Sequence, residues 1–81
     1  MIDNDNKRES EILDFLKERY GGRLLLSVSE TGNVLGLAPQ SIYNRISKAA
    51  KKPFPIKVVR MGGPKFNVHD IARYISTAST L

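Results

Sequence analysis

The sequence contains no cysteine, no long apolar run and few acidic residues beyond position 22. Without cysteine or a Cys/His cluster, disulfides and a structural zinc site are excluded. No apolar run approaches the roughly 20 residues of a transmembrane helix, and the polar N-terminus lacks the apolar core of a secretory signal. These absences predict a cytoplasmic protein that contacts no membrane and holds no metal or other cofactor.

The residue sets of common enzyme classes are also missing. The chain has no nucleophile–base pair, no phosphate-binding glycine loop ending in Lys-Ser/Thr and no metal-ligand set. Its one histidine, His69, has no companion ligands, and the basic part of the chain lacks the clustered acids that hold a nuclease metal. We therefore expect a protein that is not an enzyme and binds no small molecule.

Charge is distributed unevenly along the 81 residues, a length that favours one domain. Residues 1–22 contain six acids and four bases, whereas residues 23–81 contain nine bases and two acids. The two segments therefore have net charges of −2 and +7, which add to the +5 of the whole chain. A basic body with an acidic N-terminal segment predicts a polyanionic partner. A positive balance that only aids solubility is the alternative.

An N-terminal helix is predicted over residues 6–20, where apolar side chains share one face. Asn6 and Glu9 have the spacing of a capping box at its start, and a pair of glycines ends it. Residues 23–26 are expected to form a short strand or an extended lead-in.

Two short helices joined by a tight turn are predicted next. Ser27 and Glu30 have the spacing of a second capping box. Gly32 is a poor helix former, which predicts the close approach of another helix. Gly36 supplies the positive φ that ends the first helix, and Leu37 is expected to fill the space between the two.

The second of these helices is predicted over residues 39–52. Pro39 suits its first position, and Ile42 and Ile46 begin a narrow apolar stripe. Two short helices joined by a glycine-containing turn are the signature of a helix-turn-helix.

A β-hairpin is predicted over residues 56–68, and a two-stranded ribbon directly after a helix-turn-helix is a wing. A two-residue turn at Gly62-Gly63 places Arg60 opposite Lys65. Like charges at such positions repel each other, and a phosphate between them would relieve the repulsion.

The predicted fold is therefore mainly α with a small β-hairpin, a winged helix-turn-helix. The DNA-binding domain is expected over residues 23–76. Residues 1–22 form an acidic amphipathic helix before it, and residues 77–81 form a tail. Asn67 is expected to cap the closing helix, with Asp70 in its first turn.

The segment LLLSVSETGNVLGLAPQSIYNRI resembles the opening of the small winged helix-turn-helix proteins of the MerR-like superfamily. The closest groups are the phage excisionases and the AlpA-type regulators of prophage and plasmid genes. The matching positions are Ser27, Glu30, Gly32, Leu35, Gly36, Leu37, Ser41, Ile42 and Tyr43. The segment PFPIKVVRMGGPKFNVHDIARYI is similar to the proline-led wing and closing helix of the family. Ala38 departs from the pattern, in which Ser or Thr often caps the recognition helix and contacts a phosphate.

This resemblance implies a bacterial or phage-encoded, nucleoid-associated protein. Its function would be that of a transcriptional regulator or of an excisionase-type recombination directionality factor of a mobile element. The resemblance leaves open which of these applies, and the sequence leaves open the target site and the oligomeric state.

Double-stranded DNA is the expected partner, because a helix can enter the major groove while its flanks contact phosphates. Asn and Gln suit adenine, and Lys suits guanine. The predicted base contacts are Gln40, Tyr43, Asn44, Ser47 and Lys48. The predicted phosphate contacts are Ser41, Lys51, Lys52, Arg60 and Lys65. The predicted wing tip, on the backbone or in the minor groove, consists of Met61, Gly62 and Gly63.

Each assignment has a plainer alternative. The polar side chains of the 39–52 helix could form a solvated face, Tyr43 could pack at the rim of the core, and the hairpin tip could be an exposed turn. Arg45 is predicted to pair with Glu30 rather than to contact a base.

Two other function classes remain open. The fold could serve as a protein–protein adaptor without DNA binding. A non-specific basic packaging protein is disfavoured because its exposed helix would need mainly Lys and Arg. The helix at 6–20 is the expected surface for a dimer, for a cooperative array, or for contact with an integrase or RNA polymerase.

Overall fold

The computed structural model describes residues 3–47 and 50–78, with side chains from residue 7 onward. Within these ranges the chain is mainly helical, with four helices and a three-stranded antiparallel sheet of order β1-β3-β2. In chain order the elements are α1 (Asp3–Arg19), β1 (Leu25–Ser27), α2 (Val28–Leu35), α3 (Pro39–Ile46), β2 (Val59–Arg60), β3 (Pro64–Asn67) and α4 (Val68–Ala78). No helix of the described ranges combines the length and apolarity needed to cross a bilayer. The predicted mainly helical class with a small hairpin is confirmed.

One hydrophobic core joins these elements. Leu16 of α1, Leu26 of β1, Ile42 of α3, Phe66 of β3 and Ile71 of α4 are each at most 1% exposed. Burying such a side chain fully contributes about 1.5–3 kcal/mol relative to leaving it in water. These five elements are therefore tied to the same core by a large apolar side chain each, and α1 packs along α4.

The N-terminal helix begins at Asp3, so Asn6 lies inside it and the predicted Asn6–Glu9 capping box is wrong. Acidic residues are favourable in the first turn of a helix, and the DND sequence supplies them three residues upstream. The predicted stop is confirmed, because the chain turns at Gly21 and Gly22 with φ of 66° and 78°.

The second helix begins and ends as predicted. The Ser27 hydroxyl accepts a hydrogen bond from the Glu30 N–H at 3.1 Å, and the Glu30 carboxylate accepts one from the Ser27 N–H at 2.9 Å. Gly36 ends α2 with φ of 74°. The capping box and the left-handed glycine together fix both ends of an eight-residue helix.

Gly32 is required by the turn between α2 and α3. A Cβ at Gly32 would lie 2.5 Å from the carbonyl oxygen of Leu37 and 3.6 Å from Cδ1 of Ile42. The backbone of the turn, rather than the crossing helix alone, therefore explains the glycine. The side chain of Leu37 is 36% exposed, so the prediction that it fills the space between the helices is wrong.

The third helix is shorter than predicted, because α3 ends at Ile46 rather than at residue 52. Ser47 is extended, and the chain returns so that the Phe54 N–H donates to the Arg45 carbonyl at 3.1 Å. Phe54 is 9% exposed, and its ring centroid lies 5.1 Å from that of Phe66. Burial of Phe54 explains the early stop, since a helix continued to residue 52 would move it away from the core.

The hairpin register also differs from the prediction. Arg60 pairs with Pro64 rather than with Lys65, and the loop between β2 and β3 has the three residues Met61, Gly62 and Gly63. This shift of one residue places Arg60 and Lys65 on opposite faces of the hairpin. They are not cross-strand neighbours, so the repulsion that a shared phosphate was expected to relieve is absent.

The closing part of the chain matches its prediction. Asn67 accepts a hydrogen bond from the His69 N–H at 2.8 Å at the start of α4, and Asp70 lies in the first turn. The pairing of β1 with β3, which puts Leu26 opposite Phe66, was not predicted. It adds a third strand that ties the hairpin to the start of α2.

Candidate nucleic-acid interface

The α3 helix lies on the surface and is anchored by one buried side chain. Ile42 is 0% exposed, whereas Gln40, Tyr43 and Asn44 are exposed. These three residues follow the i, i+3, i+4 spacing of one helix face, which points away from Ile42. The predicted base-contact residues of α3 are therefore brought together on its solvent side. Ser41 and Ser47 are also exposed, with Ser47 directly after the helix.

Two of these side chains form a pair. The Gln40 Nε2 donates a hydrogen bond to the Asn44 Oδ1 at 3.1 Å. This bond uses one donor and one acceptor, so the pair still offers an amide N–H from Asn44 and a carbonyl from Gln40. The major-groove edge of adenine has one acceptor, N7, and one donor, the N6 amino group. The two amides together are chemically matched to such an edge.

Arg45 does not pair with Glu30, so that prediction is wrong. Its Nε donates to the Lys52 carbonyl at 3.3 Å, and its Nη2 donates to the Pro53 carbonyl at 3.4 Å. The guanidinium also lies 5.4 Å from the ring centroid of Phe54, a cation–π distance. Arg45 is directed to the loop that follows α3, because this loop returns beside the last turn of the helix.

Glu30 pairs instead with Arg23, whose guanidinium contacts its carboxylate. The pKa of Glu30 lies below its ordinary value, chiefly because the backbone N–H of Ser27 donates to the carboxylate. Partial burial opposes this effect, and the hydrogen bond and positive charge of Arg23 reinforce it. The acid of the capping box is thus committed to local structure at the start of α2.

Of the predicted phosphate contacts, Ser41 lies on α3, whereas the four cations lie in the segment after α3 and on the hairpin. Lys51 and Lys52 are exposed in the segment after the helix, Arg60 is exposed at the end of β2, and Lys65 is half-buried in β3. Among the described residues, the charged groups of these four side chains have no hydrogen-bond or ion-pair partner. The predicted contact Lys48 lies outside the described residues. The predicted hairpin tip of Met61, Gly62 and Gly63 is exposed.

This part of the chain has charges of only one sign. No acidic residue occurs between Thr31 and His69. The same stretch contains seven bases, which are Arg45, Lys48, Lys51, Lys52, Lys57, Arg60 and Lys65. The acids that the structure describes lie elsewhere, on α1, at the start of α2 and in the first turn of α4. The loop after α3 and the hairpin are therefore suited to a polyanion.

Sequence reasoning missed Arg45 as an anchor for the loop after α3. Phe54 stands between Pro53 and Pro55, which favours an extended segment but does not identify Arg45 as its partner. Lys57, which is exposed, was also missed as a member of the cationic set.

A shallow apolar groove on α1, α2 and α4 is lined in part by Ile12, Phe15, Val34 and Ile75, and Phe15 is 60% exposed. Within the described ranges, no group of three or more His, Asp or Glu side chains is placed to hold a metal ion.

Comparison of the chain with protein-family models, with curated proteins and with solved structures gave no match. The resemblance to MerR-like proteins therefore stays a prediction.

Proposed function

We propose that the protein is a small sequence-specific DNA-binding protein of the winged helix-turn-helix type, rather than an enzyme. It acts in the cytoplasm as a transcriptional regulator or as an excisionase-type recombination directionality factor. In this proposal α3 enters the major groove, and the β2–β3 hairpin contacts the backbone or the minor groove. One observation supports it above all: α3 is anchored by the buried Ile42 and the partly buried Ile46, and it presents amide and phenol groups to solvent.

The dimensions of α3 suit the major groove. An α-helix with its side chains is about 10–12 Å across, and the groove that must admit it is about 12 Å wide. The eight residues of α3 extend about 12 Å along the helix axis at 1.5 Å per residue. The turn of Gly36, Leu37 and Ala38 joins α3 to α2, and two short helices joined by a glycine-containing turn support the helix-turn-helix assignment. A helix of this length contacts only a few base pairs, so most of the affinity must come from phosphates.

The unpaired cations supply that phosphate affinity. Each neutralised phosphate lowers the slope of log K against log salt by roughly 0.9. Four contacts, from Lys51, Lys52, Arg60 and Lys65, would give a slope of roughly −3 to −4. The amides of α3 contribute little to this slope, because they bear no charge.

The direct experiment is equilibrium binding of the full chain to a random DNA duplex across a salt series, followed by selection from a random-oligonucleotide pool. We expect a steep fall of affinity with salt and an enriched sequence motif. Negligible retention at low salt would overturn the proposal in favour of a protein–protein adaptor. Salt-dependent binding without an enriched motif would favour a non-specific packaging protein.

Two asparagines provide a matched pair of variants. Asn44 on α3 and Asn33 on α2 are both exposed and both lie in eight-residue helices. We expect Asn44→Ala to reduce discrimination between the selected site and a mismatched site, by about 1–3 kcal/mol if a bidentate base contact is lost. Asn33→Ala should leave discrimination unchanged. Equal effects from the two variants would contradict the assignment of α3 to the major groove.

A further inference from the structure

The loop after α3 returns to Arg45, in the last turn of the helix. Its carbonyl accepts the Phe54 N–H at 3.1 Å, while its guanidinium donates to the carbonyls of Lys52 at 3.3 Å and Pro53 at 3.4 Å. The guanidinium also lies over the ring of Phe54, at 5.4 Å from its centroid. The backbone and the side chain of Arg45 together therefore contact three consecutive residues, Lys52, Pro53 and Phe54.

Only arginine can make this set of contacts. Its planar guanidinium presents several donors in a fixed fork, which suits two neighbouring carbonyl oxygens and an aromatic ring at once. A lysine at this position keeps the charge but offers a compact ammonium that lacks the fork. Phe54 is itself fixed in the core against Phe66. The loop is therefore held at two points, by Arg45 and by the core.

The anchored loop contains two of the unpaired cations. Lys52 provides one of the carbonyls that Arg45 binds, and Lys51 directly precedes it. Both side chains are exposed, and neither has a partner among the described residues. Because the backbone of Lys52 is held beside the last turn of α3, less conformational freedom is lost when these lysines bind a phosphate.

We propose that Arg45 is a positioning residue for DNA binding: it holds the loop so that Lys51 and Lys52 present their charges beside α3. This inference rests on the proposed function. It assigns Arg45 no contact with DNA, since its Nε and Nη2 donate to loop carbonyls.

The test uses the full chain, a random duplex and a salt series. The variants are Arg45→Lys, the double variant Lys51→Ala/Lys52→Ala, and the triple variant that combines them. We expect the double variant to reduce the magnitude of the salt slope by about 1.8, since two phosphate contacts are lost. Arg45→Lys should weaken binding roughly fivefold although the formal charge is unchanged, an effect within the range for residues of one network.

The triple variant decides between positioning and direct contact. If Arg45 acts through the lysines, adding Arg45→Lys to the double variant should change affinity by less than about twofold. The same fivefold loss in both backgrounds would overturn the inference, because it would indicate a direct contact. An Arg45→Lys protein that binds as tightly as the wild type would overturn it as well, because the loop would then need no clamp.

Hydrogen exchange without DNA tests the contacts of Arg45 with the loop separately from DNA binding. We expect Arg45→Lys to reduce protection of the Phe54 amide while the core amides of β3 and α4 keep theirs.

If Arg45→Lys unfolds, Phe54→Leu is the second variant, since it keeps an apolar anchor and removes the ring under the guanidinium. That variant should also lose affinity only when Lys51 and Lys52 are present. A wild-type chain that does not bind DNA would defeat the proposed function itself, whereas additive losses in a binding chain would defeat this inference alone.

Discussion

Replacing Gly32 by alanine tests the packing that sets α3 against α2. The new Cβ would lie 2.5 Å from the carbonyl oxygen of Leu37, whereas ordinary contact begins at 3.4 Å. The turn backbone must therefore move by about 0.9 Å. The Leu37 N–H also donates to the Gly32 carbonyl at 2.9 Å, so the same movement strains a hydrogen bond.

Opposing effects determine the size of the change. Alanine is favoured over glycine inside a helix by about 1 kcal/mol. Overpacking against a backbone atom costs about 1–3 kcal/mol, and a weakened turn hydrogen bond adds up to about 1.5 kcal/mol. The steric cost exceeds the gain in helix propensity, so we expect Gly32→Ala to lower the free energy of unfolding by about 1–2 kcal/mol.

The assay is urea unfolding, with Asn33→Ala as the control because it also places alanine inside α2 but at an exposed position. The control should be as stable as the wild type or slightly more stable. In the DNA-binding assay, Gly32→Ala should also reduce sequence discrimination, because α3 is displaced relative to α2. A Gly32→Ala protein that equals or exceeds the wild type in stability would refute the argument that the turn requires a glycine.

Other predictions concern single side chains. Thr31 is 0% exposed, and among the described residues its Oγ1 has no hydrogen-bond partner. Thr31→Val should therefore raise stability by about 1 kcal/mol in thermal unfolding, and a lower Tm would contradict this. The pKa of Glu30 is lower in the folded protein than its ordinary value of 4.5, so the ionised carboxylate stabilises the fold. This contribution is fully present above pH 4.5 and is lost as the pH falls through the pKa of Glu30 in the folded protein. Wild type should therefore lose more stability than Glu30→Gln between about pH 6 and pH 3, and parallel curves would refute this contribution. Arg60→Ala and Lys65→Ala should each reduce the magnitude of the salt slope by about 0.9, whereas the control Lys7→Ala on α1 should leave it unchanged.

Features set by neighbouring residues could be predicted from the sequence. The capping box of Ser27 and Glu30, the left-handed Gly36 and Pro39 at the first position of α3 depend on contacts within a few residues. Each signal has one low-energy local solution, so α2, the turn and the start of α3 were placed correctly. The exposed face of α3 followed in the same way, from the position of Ile42.

Features set by distant residues could not be predicted. The end of α3 depends on burial of Phe54 against Phe66. Helical periodicity alone does not register this burial, so it predicts a helix that extends to residue 52. The role of Arg45 was missed for a related reason. Its partners are backbone carbonyls, which every residue has, so no residue type marks them in the sequence.

The hairpin register changes what the two cations of the hairpin can do. Two adjacent glycines allow a two-residue or a three-residue loop, and the hairpin has the longer one, with Arg60 opposite Pro64. Arg60 and Lys65 consequently point to opposite faces, where one phosphate cannot serve both. A ribbon with cations on both faces suits the minor groove, which has a phosphate strand on each side. We therefore expect both substitutions to reduce the salt slope, and an effect from only one of them would instead place the hairpin along a single strand.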